Sequence, residues 1–169
     1  FLLGADISAL AAPRNGPRAN APPTAPPKAY SDPPNPALSG ELPIMLAHHL
    51  NAFPLRFFVS PVRSAPNNSL ENTIALAKQI KASGATFLLD IHYSDTWADP
   101  QHQETPVAWR NLDAKQLAEK VHDYTLDVLH QLAAAGAAPD MVQVGNEITG
   151  GMLWPTGHVK VPPSTVKTD

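Results

Sequence analysis

The sequence contains no cysteine, so disulfide bridges and thiolate metal sites are both unavailable to it, and the absence leaves the compartment open. Charge is sparse, at 16% of residues and a net −3 at pH 7, and the basic residues are scattered rather than blocked. No basic patch for nucleic acid or an anionic membrane results. No apolar run approaches the length of a membrane span. The chain opens on Phe1-Leu2-Leu3-Gly4 without a charged and then apolar leader, so any secretion signal is expected to lie outside these residues.

Proline, by contrast, is abundant, with 19 residues against 9 glycines. Many fall between Ala11 and Gly40, where the pairs Pro22-Pro23, Pro26-Pro27 and Pro33-Pro34 forbid helix and disfavour paired strand. This divides the chain into a short apolar start at residues 1–10, a Pro-rich linker or irregular insertion at 11–40, and a patterned remainder at 41–169. Glu41 to Leu50 is compatible with a short helix carrying Pro43 near its first turn. His48 and His49 are adjacent, point different ways on a helix and make poor joint metal ligands.

The remainder alternates between elements. Ala52 to Val59 is apolar and aromatic enough for a strand, although Pro54 is awkward inside a central one. Arg56 lies within that run and requires a carboxylate or other acceptors, because a buried unpaired charge is too costly. It either braces a catalytic carboxylate or closes a structural ion pair. Ser69 opens an amphipathic helix that stops at Ser83-Gly84, and Asp113 opens the longest one, which stops at Gly136. Between them, Thr86 to Ile91 reads as a strand apolar on both faces, with Leu88, Asp90 and His92 sharing one face by alternation. His122 and His130 are expected to be packing or surface residues.

Met141 to Val144 has the length of a buried parallel strand, bounded by Pro139-Asp140 and Gly150-Gly151. Asn146 and Glu147 follow it immediately. A regular strand would place those two on opposite faces, so for both to reach one cleft the backbone must bulge or leave the strand at Gly145. Phe1 to Ala5 leads similarly into Asp6-Ile7-Ser8, which also fits an ordinary Asp-Ser turn. Four strands alternating with helices indicate a parallel α/β architecture. An Asn-Glu pair at a strand's carboxyl end is where an α/β barrel places catalytic groups, though such a pair also serves as a turn or cap.

His92-Tyr93-Ser94-Asp95-Thr96-Trp97-Ala98-Asp99-Pro100 interleaves aromatic rings with short polar groups. That mixture suits a carbohydrate cleft, where indoles stack on sugar faces and polar side chains bind hydroxyls. A rival reading is a metal site from His92, Asp95, Asp99 and His102, without an established ligand spacing.

The segments His92 to Pro100 and Val142 to Ile148, with Gly151-Met152-Leu153-Trp154-Pro155 and Gly4-Ala5-Asp6-Ile7-Ser8, resemble the arabinogalactan endo-β-1,4-galactanases of glycoside hydrolase family 53. The resemblance implies a (β/α)8 TIM barrel with about its first four β/α units present, and retaining hydrolysis of internal β-1,4 bonds in pectic galactan. It implies Glu147 as general acid/base and Asn146 as a group that hydrogen-bonds the substrate or the nucleophile. Asp6, Arg56, His92, Tyr93 and Asp95 would bind substrate, and Trp97 and Trp154 would supply stacking surfaces. No cofactor or metal is implied, and the complete protein is expected to be a secreted monomer whose partner is the galactan itself. Burial of Glu147 would favour its protonated form.

Three departures stand out against the family. The Pro-rich stretch replaces an ordinary loop and the approach to the first helix. Pro54 stands where relatives carry arginine. The 169 residues are also short of the roughly 250 a complete barrel uses, and the family's nucleophilic glutamate belongs to a seventh strand. The chain by itself is therefore expected to be inactive, since retention needs two carboxyl groups about 5–5.5 Å apart. A galactan-binding remnant without catalysis, or a metal-dependent hydrolase, are the alternatives.

Overall fold

A computed structural model describes residues 1–11, 30–61 and 66–160 of the chain. In chain order its elements are β1 (Ser31–Asp32), β2 (Asn35–Ser39), α1 (Glu41–Ala47), β3 (Ala52–Phe57), α2 (Leu70–Ala82), β4 (Thr86–Ile91), α3 (Ala114–Ala134) and β5 (Met141–Val144), with short 3-10 turns between. β3, β4 and β5 form a parallel sheet in that order. The helices between them supply the crossovers that parallel pairing requires.

Two expectations are corrected here. The expected first strand is only a bridge, Gly4 to Ala52, supported by Ala5 and Ile7 N–H groups donating to the Ala52 and Pro54 carbonyls at 3.3 and 3.4 Å. Three strands and a bridging segment stand in place of four. A Cβ at Gly4 would collide with the Ala52 carbonyl, so this close approach depends on glycine. Pro54 is tolerated because its carbonyl, and hence the side of the strand lacking an N–H, faces this sparsely bonded segment.

The second correction concerns the linker. Residues 31–39 are not irregular but form an antiparallel hairpin, β1 with β2, in which Pro33-Pro34 occupy the turn between the strands. His48 anchors it, its Nε2 standing 3.2 Å from the buried Asp32 carboxylate. The pairs Pro22-Pro23 and Pro26-Pro27 lie outside the described residues.

Alternation along the strands assigns two faces. Phe53, Leu55, Phe57, Phe87, Leu89 and Ile91 are buried almost completely and form one core with Leu76, Ala77 and Ile80 of α2 and Leu117, Val128 and Leu132 of α3. At about 1.5–3 kcal/mol for each large apolar side chain, that face dominates the burial energy. Phe57 stacks on Tyr124 of α3 at 6.0 Å. The opposite face carries Pro54, Arg56, Leu88, Asp90 and Gln143. Parallel register aligns Arg56 with Asp90 and Asp90 with Gln143, a polar row across all three strands near their carboxyl ends.

The helix ends follow the sequence signals. Ser69 caps α2 by accepting from the Asn72 N–H, and Asp113 caps α3 in a reciprocal box with Gln116. Asp140 pins the entry of β5, accepting from Phe87 N–H at 2.8 Å and from Lys81 Nζ at 2.6 Å. Both interactions hold its carboxyl below the ordinary range, the lysine contact contributing most. His122 and His130 are exposed on α3, as befits surface residues.

Candidate active site

The polar row is extended at its near edge by Asp6. Its Oδ2 lies 2.7 Å from Arg56 Nε, and its Oδ1 accepts from the Ser8 N–H and hydroxyl at 2.9 and 2.6 Å. The Asp-Ser turn and the ion pair are therefore one feature. Ser8 Oγ in turn accepts the Arg56 backbone N–H at 2.7 Å. The short Nε approach lacks hydrogen-bond alignment, so it acts as a charge contact. The guanidinium also lies 4.6 Å from the ring centre of Trp97, a cation–π distance, and Trp97 is half-exposed at the rim.

Next in the row, Asp90 is nearly buried. Its Oδ1 accepts from Gln143 Nε2 at 2.9 Å, and its Oδ2 faces His92 Nε2 at 3.3 Å. The Ala98 N–H donates to His92 Nδ1 at 3.0 Å, which leaves Nε2 to carry the proton. Asn146 closes the ring. Its Nδ2 donates to the Ala98 carbonyl at 2.7 Å and its Oδ1 accepts from Gln143 at 3.1 Å.

Glu147 follows with φ 50°, in the left-handed region, and its side chain is exposed. Burial of Glu147 was expected, and here its side chain is exposed. The turn itself begins at Gly145, as alternation requires, with φ 85° and an N–H still bonded to the Ile91 carbonyl at 3.0 Å. A Cβ there would lie 2.7 Å from Ile148 Cγ2. Gln103, buried in the loop after β4, fixes the same turn by donating to the Asn146 carbonyl at 2.7 Å.

Tyr93 does not belong to this set. Its φ of 48° carries the ring to the helix side, where it is 1% exposed and its hydroxyl meets Thr125 of α3 at 2.6 Å. Burial raises its pKa, partly offset by that hydrogen bond. Asp95 is a loop brace whose Oδ2 accepts the Val107 N–H at 2.8 Å. Trp154 is displaced from Trp97: its indole N–H is tied to the Gly150 carbonyl at 3.0 Å, and it lines a pocket of about 230 Å³ with Glu104, Thr105, Arg110, Leu117, Pro155 and Thr156. None of Asp6, Arg56, His92 or Glu147 lines that pocket.

The four residues of the metal reading are likewise separated. His92 and Asp95 are engaged as described, while Asp99 and His102 pair with each other at 2.9 Å. Among the described residues no three His, Asp or Glu side chains come together as a ligand set. Sequence reasoning missed Gln143 and Gln103; a lone glutamine inside an otherwise apolar four-residue strand was the available signal for the first.

Comparison with known proteins resolves what this geometry belongs to. A family model described as Glycosyl hydrolase family 53 matches residues 4–167. The chain belongs to that family. It is 44% identical over 117 residues to an arabinogalactan endo-beta-1,4-galactanase of Thermothelomyces thermophilus, covering 69% of this chain and 34% of that protein. A relative from Humicola insolens with the same description is 44% identical over 114 residues, covering 68% and 33%. Among solved structures, the Ignisphaera aggregans GH53 catalytic domain superposes with a TM-score of 0.70 at 37% identity, covering 77% of this chain and 38% of that one. A fungal beta-1,4-galactanase gives 0.67 at 43% identity, covering 71% and 36%. The chain spans about a third of the length of the curated relatives it matches.

Proposed function

We propose that the protein containing this chain is a secreted, retaining endo-β-1,4-galactanase built on a (β/α)8 barrel, with Glu147 as its general acid/base. The observation that carries this reading is the delivery of Glu147 and a fixed Asn146 to the carboxyl end of β5, beside the polar row. The relatives' description as galactanases supports the substrate class.

In the first step Glu147 protonates the leaving glycosidic oxygen while a second carboxylate attacks the anomeric carbon; in the second it takes a proton from water. Arg56 and Asp6 form the charged floor, and Trp97 offers a ring face at the rim. These residues alone are proposed to bind galactan without cleaving it. The other carboxylates near the row are committed, Asp6 to Arg56 and Ser8, Asp90 to Gln143, and Asp95 to Val107. The nucleophile is therefore proposed to come from a segment of the complete protein other than these residues.

The proton-donor role is tested by leaving-group dependence, using a version extended to the full length of its relatives. For Glu147→Ala, kcat/KM on galactan should fall by about 10²–10⁴-fold. A galacto-oligosaccharide bearing a dinitrophenol leaving group needs no protonation, so its first step should survive. Equal loss on both substrates would remove Glu147 from the role.

A further inference from the structure

We infer that Gln143 is a positioning residue that, with the Ala98 carbonyl, holds the Asn146 amide in one orientation toward the ligand, an inference that rests on the galactanase reading for the ligand's identity but not for the geometry. An amide side chain presents either a carbonyl or an NH2 group to a cleft, and only its partners decide which. Here both ends of the chain of partners are fixed by groups with no choice. Asp90 is a carboxylate and accepts, so Gln143 turns its NH2 group toward Asp90 Oδ1, at 2.9 Å. The second N–H of the same nitrogen then donates to Asn146 Oδ1, at 3.1 Å. At the far end the Ala98 carbonyl also only accepts, and Asn146 Nδ2 donates to it at 2.7 Å.

The polarity is therefore transmitted from Asp90 through Gln143 to Asn146 without a break. Both Gln143 N–H groups are used. Asn146 keeps one N–H without a partner among the described residues, next to Glu147 in the chain, while its oxygen is turned toward Gln143. It offers a donor, which fits an acceptor oxygen such as a sugar hydroxyl lone pair. Register explains why Gln143 has this role: it lies opposite Asp90 on β4, as Asp90 lies opposite Arg56 on β3, so the same row that holds the floor charge also orients the amide.

The test uses the ¹⁵N-labelled 169-residue chain and follows side-chain amide protons by NMR. One Asn146 proton should exchange about tenfold more slowly than the other, and both Gln143 side-chain protons should be protected. Gln143→Met keeps length and volume but donates nothing; in it the exchange difference between the two Asn146 protons should narrow several-fold, because the amide then rests on the Ala98 carbonyl alone, and affinity for unbranched β-1,4-galactotetraose should drop roughly tenfold. An Asn146 signal unchanged in Gln143→Met overturns the inference. Should that variant lose its dispersed backbone spectrum, fast exchange of both Gln143 side-chain protons in the unsubstituted chain overturns it equally, and their protection supports it. Failure of the unsubstituted chain to bind galactotetraose, with the amide pattern as expected, would sink the galactan reading and leave the positioning role standing.

Discussion

His102 and Asp99 pair side chain to side chain at 2.9 Å in the loop after β4. Hydrogen bonding to Asp99 raises the His102 pKa above 6.5, and the same contact lowers that of Asp99 below 3.8. The signs fix a window: the histidine's share is lost as pH rises through its raised value, and the aspartate's as pH falls through its lowered one. Following the His102 ring protons by NMR should give a midpoint above 6.5 that returns toward it in Asp99→Asn; no change would mean that the pair does not persist in solution. Gly145 is a sharper constraint. Gly145→Ala should destabilise the chain by roughly 1–3 kcal/mol, from its positive φ and the contact with Ile148, as read by urea denaturation. At this scale the sequence disclosed Arg56 well, because a cation in an apolar run must find an acceptor. Alternation foretold the break at Gly145, because a regular strand would put Asn146 and Glu147 on opposite faces. Tyr93 was misplaced because its direction depends on a left-handed φ that nothing in the local pattern announces, and Gln143 was missed because its role exists only through the register of three strands.

Among the elements, α3 depends on a sequence-readable end. Removing the reciprocal cap with Asp113→Ala should cost about 1 kcal/mol, measured by thermal or urea unfolding, and an unchanged midpoint would show the helix held by packing alone. β4 and β5 match the expected segments because their apolar runs are bounded by turn residues, which leave little freedom over where a strand starts and stops, although β5 is exposed rather than buried. The β1–β2 hairpin was illegible for a different reason. Proline pairs argue against strand wherever they occur, yet at Pro33-Pro34 they sit in the connection, where a fixed φ and a missing N–H do no harm. Similarly, the first segment has an apolar strand's composition but only enough backbone pairing for a bridge.

For the molecule as a whole, the informative feature is the apolar surface left open at the end of the sheet. Met141, Val142 and Val144 are 47%, 38% and 51% exposed, although their composition is that of an interior strand. An exposed apolar edge strand is a site of association. Light scattering across a concentration series should therefore show self-association of the 169-residue chain, reduced by Val142→Lys; a concentration-independent monomer mass would contradict it. No helix among the described residues is long and apolar enough to cross a membrane. Glu147, just after β5, is exposed as well. The most direct measurement is release of new reducing ends from linear β-1,4-galactan by this chain, by a version extended to the length of its relatives, and by that version carrying Glu147→Gln. Release is expected from the extended protein alone; cleavage by the 169-residue chain itself, or undiminished cleavage after Glu147→Gln, would contradict the roles given to Glu147 and the missing nucleophile.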